Sequence, residues 1–220
     1  MTHRPFPLLA RLAAVTSVVA VAIACTAAPA APSAPPVTVS PSASSASGGG
    51  GDCPTAQPAA LAAGETRNVT ITTDLGSMTI EIKADLSPIA AGNFVALAGC
   101  GFYDGVVFHR VVPGFVIQGG DPTGTGTGGP GYEIQDEPVT TPYSRGTVAM
   151  ARTPAPNSVG SQFFIVLDDA ARAALQSANT YQIIGTVTVG METADRIAGA
   201  ADAEMPSDPV VMTDVSVSTP

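Results

Sequence analysis

Residues 108–129 read FHRVVPGFVIQGGDPTGTGTGG, and the rest of the chain is best interpreted outward from them. Two short runs, 108–112 and 115–118, are rich in Val, Ile and Phe, a composition typical of β-strands. Pro113-Gly114 between them predicts a turn, because Pro presets one turn dihedral and Gly accepts the other. From residue 119 onward there is no periodicity, so the glycine-rich part predicts an irregular loop.

Arg110 is the informative side chain in the first run. Strand alternation places Phe108, Arg110 and Val112 on one face and His109 and Val111 on the other. An arginine keeps its charge and has five donors to satisfy. It therefore either extends to the surface past its apolar neighbours or belongs to a site, and the pattern alone leaves both interpretations open.

Two further stretches follow in the chain, VAMAR at 148–152 and GSQFFIV at 160–166. With FHRVVPGFVIQGGD and the GTGTGG loop, they make four motifs in the same order. Together these motifs closely resemble the cyclophilin-type peptidyl-prolyl cis-trans isomerases, over roughly residues 69–217. Any one motif would be weak evidence, whereas four in order are specific.

Site residues follow from this resemblance, residue by residue. It implies that Arg110 is the catalytic arginine and that Gln118 contacts both the substrate backbone and this arginine. It implies that Phe115, Met150 and Phe164 hold the proline ring of the substrate; without the resemblance they would be assigned to the core. The groove beside this pocket is implied to include Gly126, Ala151, Arg152, Gln162, Leu175 and Tyr181.

The chain departs from the family pattern at three places. Arg152 stands where the family commonly has Asn, although the contact there is largely through the backbone. The usual Trp before Tyr181 is absent, and Leu175 is nearby. Tyr181 stands where many members have His, so a planar polar ring is retained.

The implied reaction needs neither cofactor nor metal. An X-Pro bond rotates over a barrier of about 18–20 kcal/mol set by amide resonance, and no bond is made. His109 is the only histidine after residue 24, so the sequence favours neither a catalytic triad nor a zinc site. The glycine-rich loop lacks the Gly-Lys-Ser/Thr ending of a phosphate-binding loop.

The predicted fold is mostly β. Alternation at 69–73 and 78–82 predicts a hairpin with one buried face. Ser87-Pro88 predicts a helix start with Ser as N-cap, and Gly190–Ala198 has a second helical pattern. Further strands are predicted near 147–151, 162–166, 181–187 and 210–217. Many short strands favour a closed antiparallel barrel, and the resemblance implies eight strands capped by two α-helices.

Charge excludes some partners. The 220 residues carry 9 Lys and Arg against 18 Asp and Glu, a net charge of −9. Nucleic-acid binding requires a basic surface, so it is not expected. The expected partners are proline-containing polypeptides, and we expect a monomer.

The N-terminal part predicts export. Arg4 and Arg11 precede a thirteen-residue, mostly apolar stretch at 12–24, too short to span a membrane, which predicts a signal peptide over 1–24. Cys25 follows at once and resembles a bacterial lipobox cysteine, which would place the protein on the outer face of the cytoplasmic membrane through a lipid anchor only. The alternative is an ordinary signal peptide and secretion. Residues 25–64, rich in Ala, Pro, Ser and Gly, predict a linker, and 65–220 the isomerase-like domain.

Two cysteines, Cys53 and Cys100, remain once Cys25 is assigned to the lipid. In an oxidising compartment they predict a disulfide, and the alternative is two free thiols. Two functions stay open for the chain. One is an isomerase acting on exported proteins, and the other is a non-catalytic module or chaperone that binds proline-containing segments in the same groove.

Overall fold

The computed structural model describes residues 52–220, and within them one antiparallel sheet of eight strands. The sheet forms a half-barrel accompanied by three helices. A single turn of 3-10 helix, Asp169–Ala171, precedes the second helix. The elements in chain order are β1 Thr66–Thr73, β2 Gly76–Lys83, α1 Pro88–Gly99, β3 Arg110–Val112, β4 Val116–Gly119, β5 Thr147–Met150, β6 Phe163–Val166, α2 Arg172–Ala178, β7 Ile183–Val189, α3 Met191–Ala200 and β8 Asp214–Ser218.

The strand order is β3-β4-β6-β5-β7-β2-β1-β8. The predicted hairpin is present as β1 and β2, which pair from Thr66 opposite Lys83 to Thr73 opposite Gly76. Its alternation is regular, since Val69, Ile71 and Ile80 are fully buried. One face of the sheet covers the main core together with α1.

The segments that precede β3 and β8 are hydrogen-bonded to each other. The N–H of Phe108 donates to the carbonyl of Val210 at 2.9 Å, and the N–H of Met212 donates to the carbonyl of Val106 at 2.9 Å. Backbone groups that would otherwise be unpaired at a sheet edge are therefore satisfied on this side.

The helix count differs from the prediction of two. Residues 172–178 form a further helix between the two predicted ones. The Asp168 carboxylate accepts from the N–H of Ala170 and starts the preceding turn. Asn179 ends the helix in the left-handed conformation, which Asn tolerates better than most residues.

The start of α1 is capped differently from the prediction. The Ser87 side chain makes no cap hydrogen bond. Instead the Glu137 carboxylate accepts from the N–H groups of Ile89 and Ala90, each at 2.9 Å. A negative charge at a helix N-terminus satisfies free donors and complements the helix dipole. This cap lies 48 residues away in sequence, so no local pattern could reveal it.

Residues 52–64 are packed on the domain, although the sequence placed them in the linker. The N–H of Leu61 donates to the carbonyl of Pro88 at 3.0 Å, and a disulfide joins Cys53 to Cys100 with the Cα atoms 5.2 Å apart. Gly92 of α1 makes room for this segment, because a Cβ there would collide with the carbonyl oxygen of Ala59. The folded part therefore begins before residue 65.

The expected face pattern around Arg110 holds only from residue 110 onward. Phe108 lies fully buried in the main core with Val111, and not on the face of Arg110. The reason is that β3 begins at Arg110, so residues 108 and 109 do not follow strand alternation.

Candidate active site

A row of four side-chain positions crosses the sheet where β3, β4, β6 and β5 pair. Arg110 is opposite Gln118, Gln118 is opposite Phe164, and Phe164 is opposite Ala149. Directly opposed residues on adjacent strands project from the same face of a sheet. Pairing therefore brings Arg110, Gln118 and Phe164, which are far apart in sequence, into one line.

An apolar cluster surrounds the Phe164 end of this row. Phe164 is 4% exposed and packs edge-on against Tyr181, with ring centroids 5.4 Å apart. The cluster is separate from the main core and lies on the other face of the sheet. Its other members include four of the predicted residues and one that the sequence analysis missed: Phe115, Ala151, Leu175, Tyr181 and Val116.

Val116 was missed because it was interpreted as an ordinary strand residue. It starts β4 two positions before Gln118, so the two share a face. The strand alternation itself was the signal that could have identified it.

Met150 does not belong to this cluster, in contrast to the prediction. Its side chain is fully buried in the main core, and its partner on the neighbouring strand β6 is Phe163. Ala149 and Ala151, its chain neighbours, pack in the apolar cluster. Strand alternation thus turns Met150 to the opposite face, and Met150 is a core residue.

Gln118 is held by another glutamine and not by the arginine. Its amide nitrogen donates to Oε1 of Gln162 at 3.0 Å. Gln162 in turn donates to the carbonyls of Gly126 and Gly128 at 3.1 and 2.9 Å. The predicted Gln118–Arg110 contact is absent among the hydrogen bonds of residues 52–220, and the two glutamines tie the row to the glycine-rich loop.

Asp121 organises that loop, and the sequence analysis assigned it no role. Its buried carboxylate accepts from the backbone N–H groups of Thr123, Thr125, Gly126 and Gly128, and from the hydroxyl of Thr123. Burial alone would raise the pKa of Asp121, but these donors outweigh it and lower the pKa to about 2. A Cβ at residue 128 would collide with this carboxylate, which explains one of the loop glycines.

Arg110 pairs with Glu204, from the connection between α3 and β8. Nε of Arg110 donates to Oε1 of Glu204 at 2.7 Å, and the two side chains are 34% and 61% exposed. Arg110 thus stays accessible to solvent at one end of the row. Sequence analysis missed Glu204 because 94 residues separate the partners and no motif marks it.

Arg152 turns its guanidinium away from the row. It pairs with Asp136 at 3.0 Å and donates to the carbonyls of Thr153 and Ala155. The backbone N–H of Ala151 beside it donates to the carbonyl of Gln162 at 2.8 Å. The unusual arginine therefore fixes the loop at 153–158, and its side chain is 10% exposed.

An open groove of about 710 Å³ continues from the polar end of the row. Gln118 and Gln162 form part of its wall, with the glycine-rich loop and Arg152 around it. Its lining is mixed polar and apolar, and the glycines of the loop contribute backbone groups to it. Such a surface suits an extended polypeptide with its own backbone donors and acceptors.

His109 lies behind the glycine-rich loop and is 2% exposed. Neither ring nitrogen has a hydrogen-bond partner within residues 52–220. Burial lowers the pKa of His109, and the Arg110 charge lowers it further, while Asp121 acts in the opposite direction. His109 is therefore a neutral packing residue at neutral pH.

A family model described as cyclophilin type peptidyl-prolyl cis-trans isomerase matches residues 68–217, more than half of the chain. The chain belongs to the cyclophilin-type peptidyl-prolyl cis-trans isomerase family. Among curated relatives, peptidyl-prolyl cis-trans isomerase B of Bacillus subtilis is 42% identical over 127 residues, which cover 57% of this chain and 85% of the relative. A peptidyl-prolyl cis-trans isomerase of Synechococcus elongatus is 50% identical over 93 residues, covering 42% of this chain and 63% of the relative.

The chain spans less than a quarter of the length of the first curated relatives that it matches. One of them, peptidyl-prolyl cis-trans isomerase-like 2 of Cryptococcus neoformans, is 41% identical over 135 residues, which cover 58% of this chain and 23% of the relative. Among solved structures, a cyclophilin of Cryptosporidium parvum superposes with a TM-score of 0.64 and 34% identity, covering 70% of this chain and 99% of that one. The same cyclophilin has also been solved in the presence of the dipeptide Ala-Pro.

Proposed function

We propose that the chain is a peptidyl-prolyl cis-trans isomerase that acts on proline-containing segments of exported proteins. The observation that carries this proposal is the row formed by Arg110, Gln118 and Phe164, which joins an accessible guanidinium to an apolar cluster through a polar residue. Family membership and the match to named isomerases support the same activity.

The apolar cluster would hold the proline ring. Phe164, Phe115, Val116 and Leu175 present apolar surface to a ring that has no polar group of its own. Gripping the ring leaves the preceding residue free to rotate about the X-Pro bond. The groove lined by the glutamines and the loop would bind the backbone on the adjoining side of the proline.

Arg110 would accelerate rotation about the X-Pro bond. As the amide twists, the lone pair of the prolyl nitrogen becomes available, and the terminal nitrogens of Arg110 can donate to it. This hydrogen bond forms mainly in the transition state. It therefore stabilises the transition state more than the bound substrate, and so it lowers the barrier to rotation. A donor fixed in advance beside an apolar wall is worth more than the same donor in water.

The test is a proline-limited refolding assay with the purified protein and a substrate whose slow phase is X-Pro isomerisation. Catalysis would shorten the slow phase in proportion to protein concentration. Protein that binds proline peptides but leaves the slow phase unchanged would support the alternative, a non-catalytic binding module or chaperone that uses the same groove.

We further propose that the protein is a lipid-anchored monomer on the outer face of the cytoplasmic membrane. Cys25 and the signal peptide lie outside the described residues, so this proposal depends on the lipobox-like sequence. None of the helices in 52–220 is long and apolar enough to cross a membrane. Fractionation of cells with wild-type protein and Cys25→Ser tests the anchor, since a wild type that is already soluble would exclude it. Sedimentation would test the monomer.

We also propose that the eight strands form a closed barrel. The hydrogen bonds between residues 105–108 and 210–212 support closure, because they join the segments next to the two edge strands. Slow amide exchange at Phe108 and Met212 would agree with a closed seam, and exchange as fast as in the exposed loops would exclude it.

A further inference from the structure

The connection between α3 and β8 lies along β3 on both sides of Arg110. We refer to residues 201–210 as the strap. The N–H of Val111 donates to the carbonyl of Glu204 at 2.8 Å, and the N–H of Phe108 donates to the carbonyl of Val210 at 2.9 Å. The backbone of the strap is thus fixed to the residue after Arg110 and to the segment before it.

The strap is also fixed internally. The Asp202 carboxylate accepts from the hydroxyl and the N–H of Ser207, at 2.6 and 3.0 Å. Ala201 and Val210, at its two ends, pack against the main core. These contacts do not involve the Glu204 side chain, so they remain when that side chain is replaced.

The Glu204 carboxylate receives a single donor from Arg110, at Nε. A guanidinium is planar, so a hydrogen bond at Nε restrains the plane in which the two terminal nitrogens lie. Within residues 52–220 the side-chain hydrogen bonds of Arg110 go only to Glu204, and the amide nitrogen of Gln118 donates to Gln162. Glu204 therefore fixes the guanidinium and leaves its terminal donors for another partner.

We propose that Glu204 is a positioning residue for Arg110, an inference that rests on the proposed isomerase activity. It orients the guanidinium so that the terminal nitrogens point to the prolyl nitrogen of the bound substrate. Exposed ion pairs add little to the stability of a fold. The contribution of this pair therefore lies in the rate and not in folding.

The test compares Glu204→Ala, which removes the acceptor of the Arg110 Nε–H, with a matched control, Asp195→Ala. Asp195 forms a similar exposed ion pair with Arg145, also at 2.7 Å, but belongs to α3 and shares no hydrogen bond or ion pair with Arg110 among residues 52–220. With a prolyl peptide, we expect Glu204→Ala to lower kcat about tenfold with KM unchanged, since misplacing one reacting group is costly while the apolar cluster is intact. Asp195→Ala should leave both constants unchanged.

A second readout does not depend on activity. In an NMR spectrum of arginine side chains, Arg110 Nε–H should be protected from solvent exchange in the wild type and in Asp195→Ala, and unprotected in Glu204→Ala. Unchanged protection, or kcat equal to or above the wild-type value in Glu204→Ala, would overturn the positioning role. An inactive wild type would instead refute the isomerase proposal, and the Nε–H signal would still decide whether Glu204 holds Arg110.

Discussion

Arg110 and Gln118 are directly opposite each other on β3 and β4, yet their side chains engage different partners. Arg110 donates to Glu204 and Gln118 donates to Gln162. The arginine is thus restrained from the strap side and the glutamine from the loop side. Among the described residues, the terminal nitrogens of the guanidinium donate no hydrogen bond, and this separation of the two side chains underlies the predictions below.

Phe163 and Phe164 are adjacent on β6 and project from opposite faces, one into the main core and one into the apolar cluster. Replacing either by Leu should cost about 1–2 kcal/mol of unfolding free energy. Only Phe164→Leu should raise KM for a prolyl peptide, because only that ring faces the proposed proline site. Urea unfolding and steady-state kinetics on both variants make the comparison. If Phe163→Leu raised KM more than Phe164→Leu, the proposed proline site would not be on the Phe164 face of the sheet.

Asp121→Asn should loosen the glycine-rich loop, because an amide cannot replace a carboxylate that accepts hydrogen bonds from four backbone N–H groups and from threonine hydroxyls. We expect a loss of about 1.5–3 kcal/mol at pH 7, the range for hydrogen bonds to a charged group. The folded pKa is about 2, below the ordinary 3.8, so this stabilisation is present above pH 3.8 and is lost as pH falls towards 2. The difference between wild type and variant in urea should shrink over that interval. A constant difference would show that the carboxylate charge is not involved.

His109 should make the fold sensitive to mild acid. Its pKa is lowered in the folded state, so the unfolded chain binds a proton first as pH falls through about 6.5. Stability is therefore complete above that pH and declines below it. His109→Leu loses no hydrogen bond, because neither ring nitrogen has a partner in the described part of the chain. We expect the wild type to lose more unfolding free energy than this variant between pH 7 and pH 5. Equal losses of unfolding free energy in the wild type and in His109→Leu would contradict the assignment of this acid sensitivity to His109.

The Cys53–Cys100 disulfide should stabilise the fold by closing a loop with a sequence separation of 47 residues. The entropy model gives about 4 kcal/mol for a loop of this size. The double variant Cys53→Ser, Cys100→Ser should have a free energy of unfolding lower by about that amount, as measured by urea unfolding. Peptide mapping after alkylation without reductant should show neither cysteine labelled, and labels on both would exclude the bridge.

Much of the fold could be predicted because local patterns determine it. The alternation of β1 and β2 and the start of α1 at Pro88 follow from short stretches of sequence. The two-helix prediction was wrong because residues 172–178 show only Ala enrichment, which is helix-favouring but has no stripe to mark a full helix. The disulfide prediction for Cys53 and Cys100 is confirmed. The rest of the packing of residues 52–64 could not be foreseen, because it depends on contacts with α1 that no local pattern marks.

The residues of the candidate site come from two sources: motifs in the sequence, and contacts between residues that are distant in the chain. Arg110, Gln118 and Phe164 came from the resemblance, and strand pairing then placed them in one row. Met150 was assigned to the pocket because a motif does not say which face a strand residue takes. Glu204 has no motif at all, since only the path of the strap brings it to Arg110.

The measurement that tests the central proposal most directly is kcat/KM of Arg110→Ala on a prolyl peptide, with Arg110→Lys beside it. Removing one preorganised donor costs about 2.7–4 kcal/mol and a charged hydrogen bond about 1.5–3 kcal/mol. We therefore expect Arg110→Ala to lose about 10- to 1000-fold while circular dichroism shows an intact fold. Arg110→Lys should recover only part, because an ammonium lacks the planar guanidinium that Nε of Arg110 anchors to Glu204. A folded Arg110→Ala protein that isomerises the peptide at the wild-type rate would contradict the account.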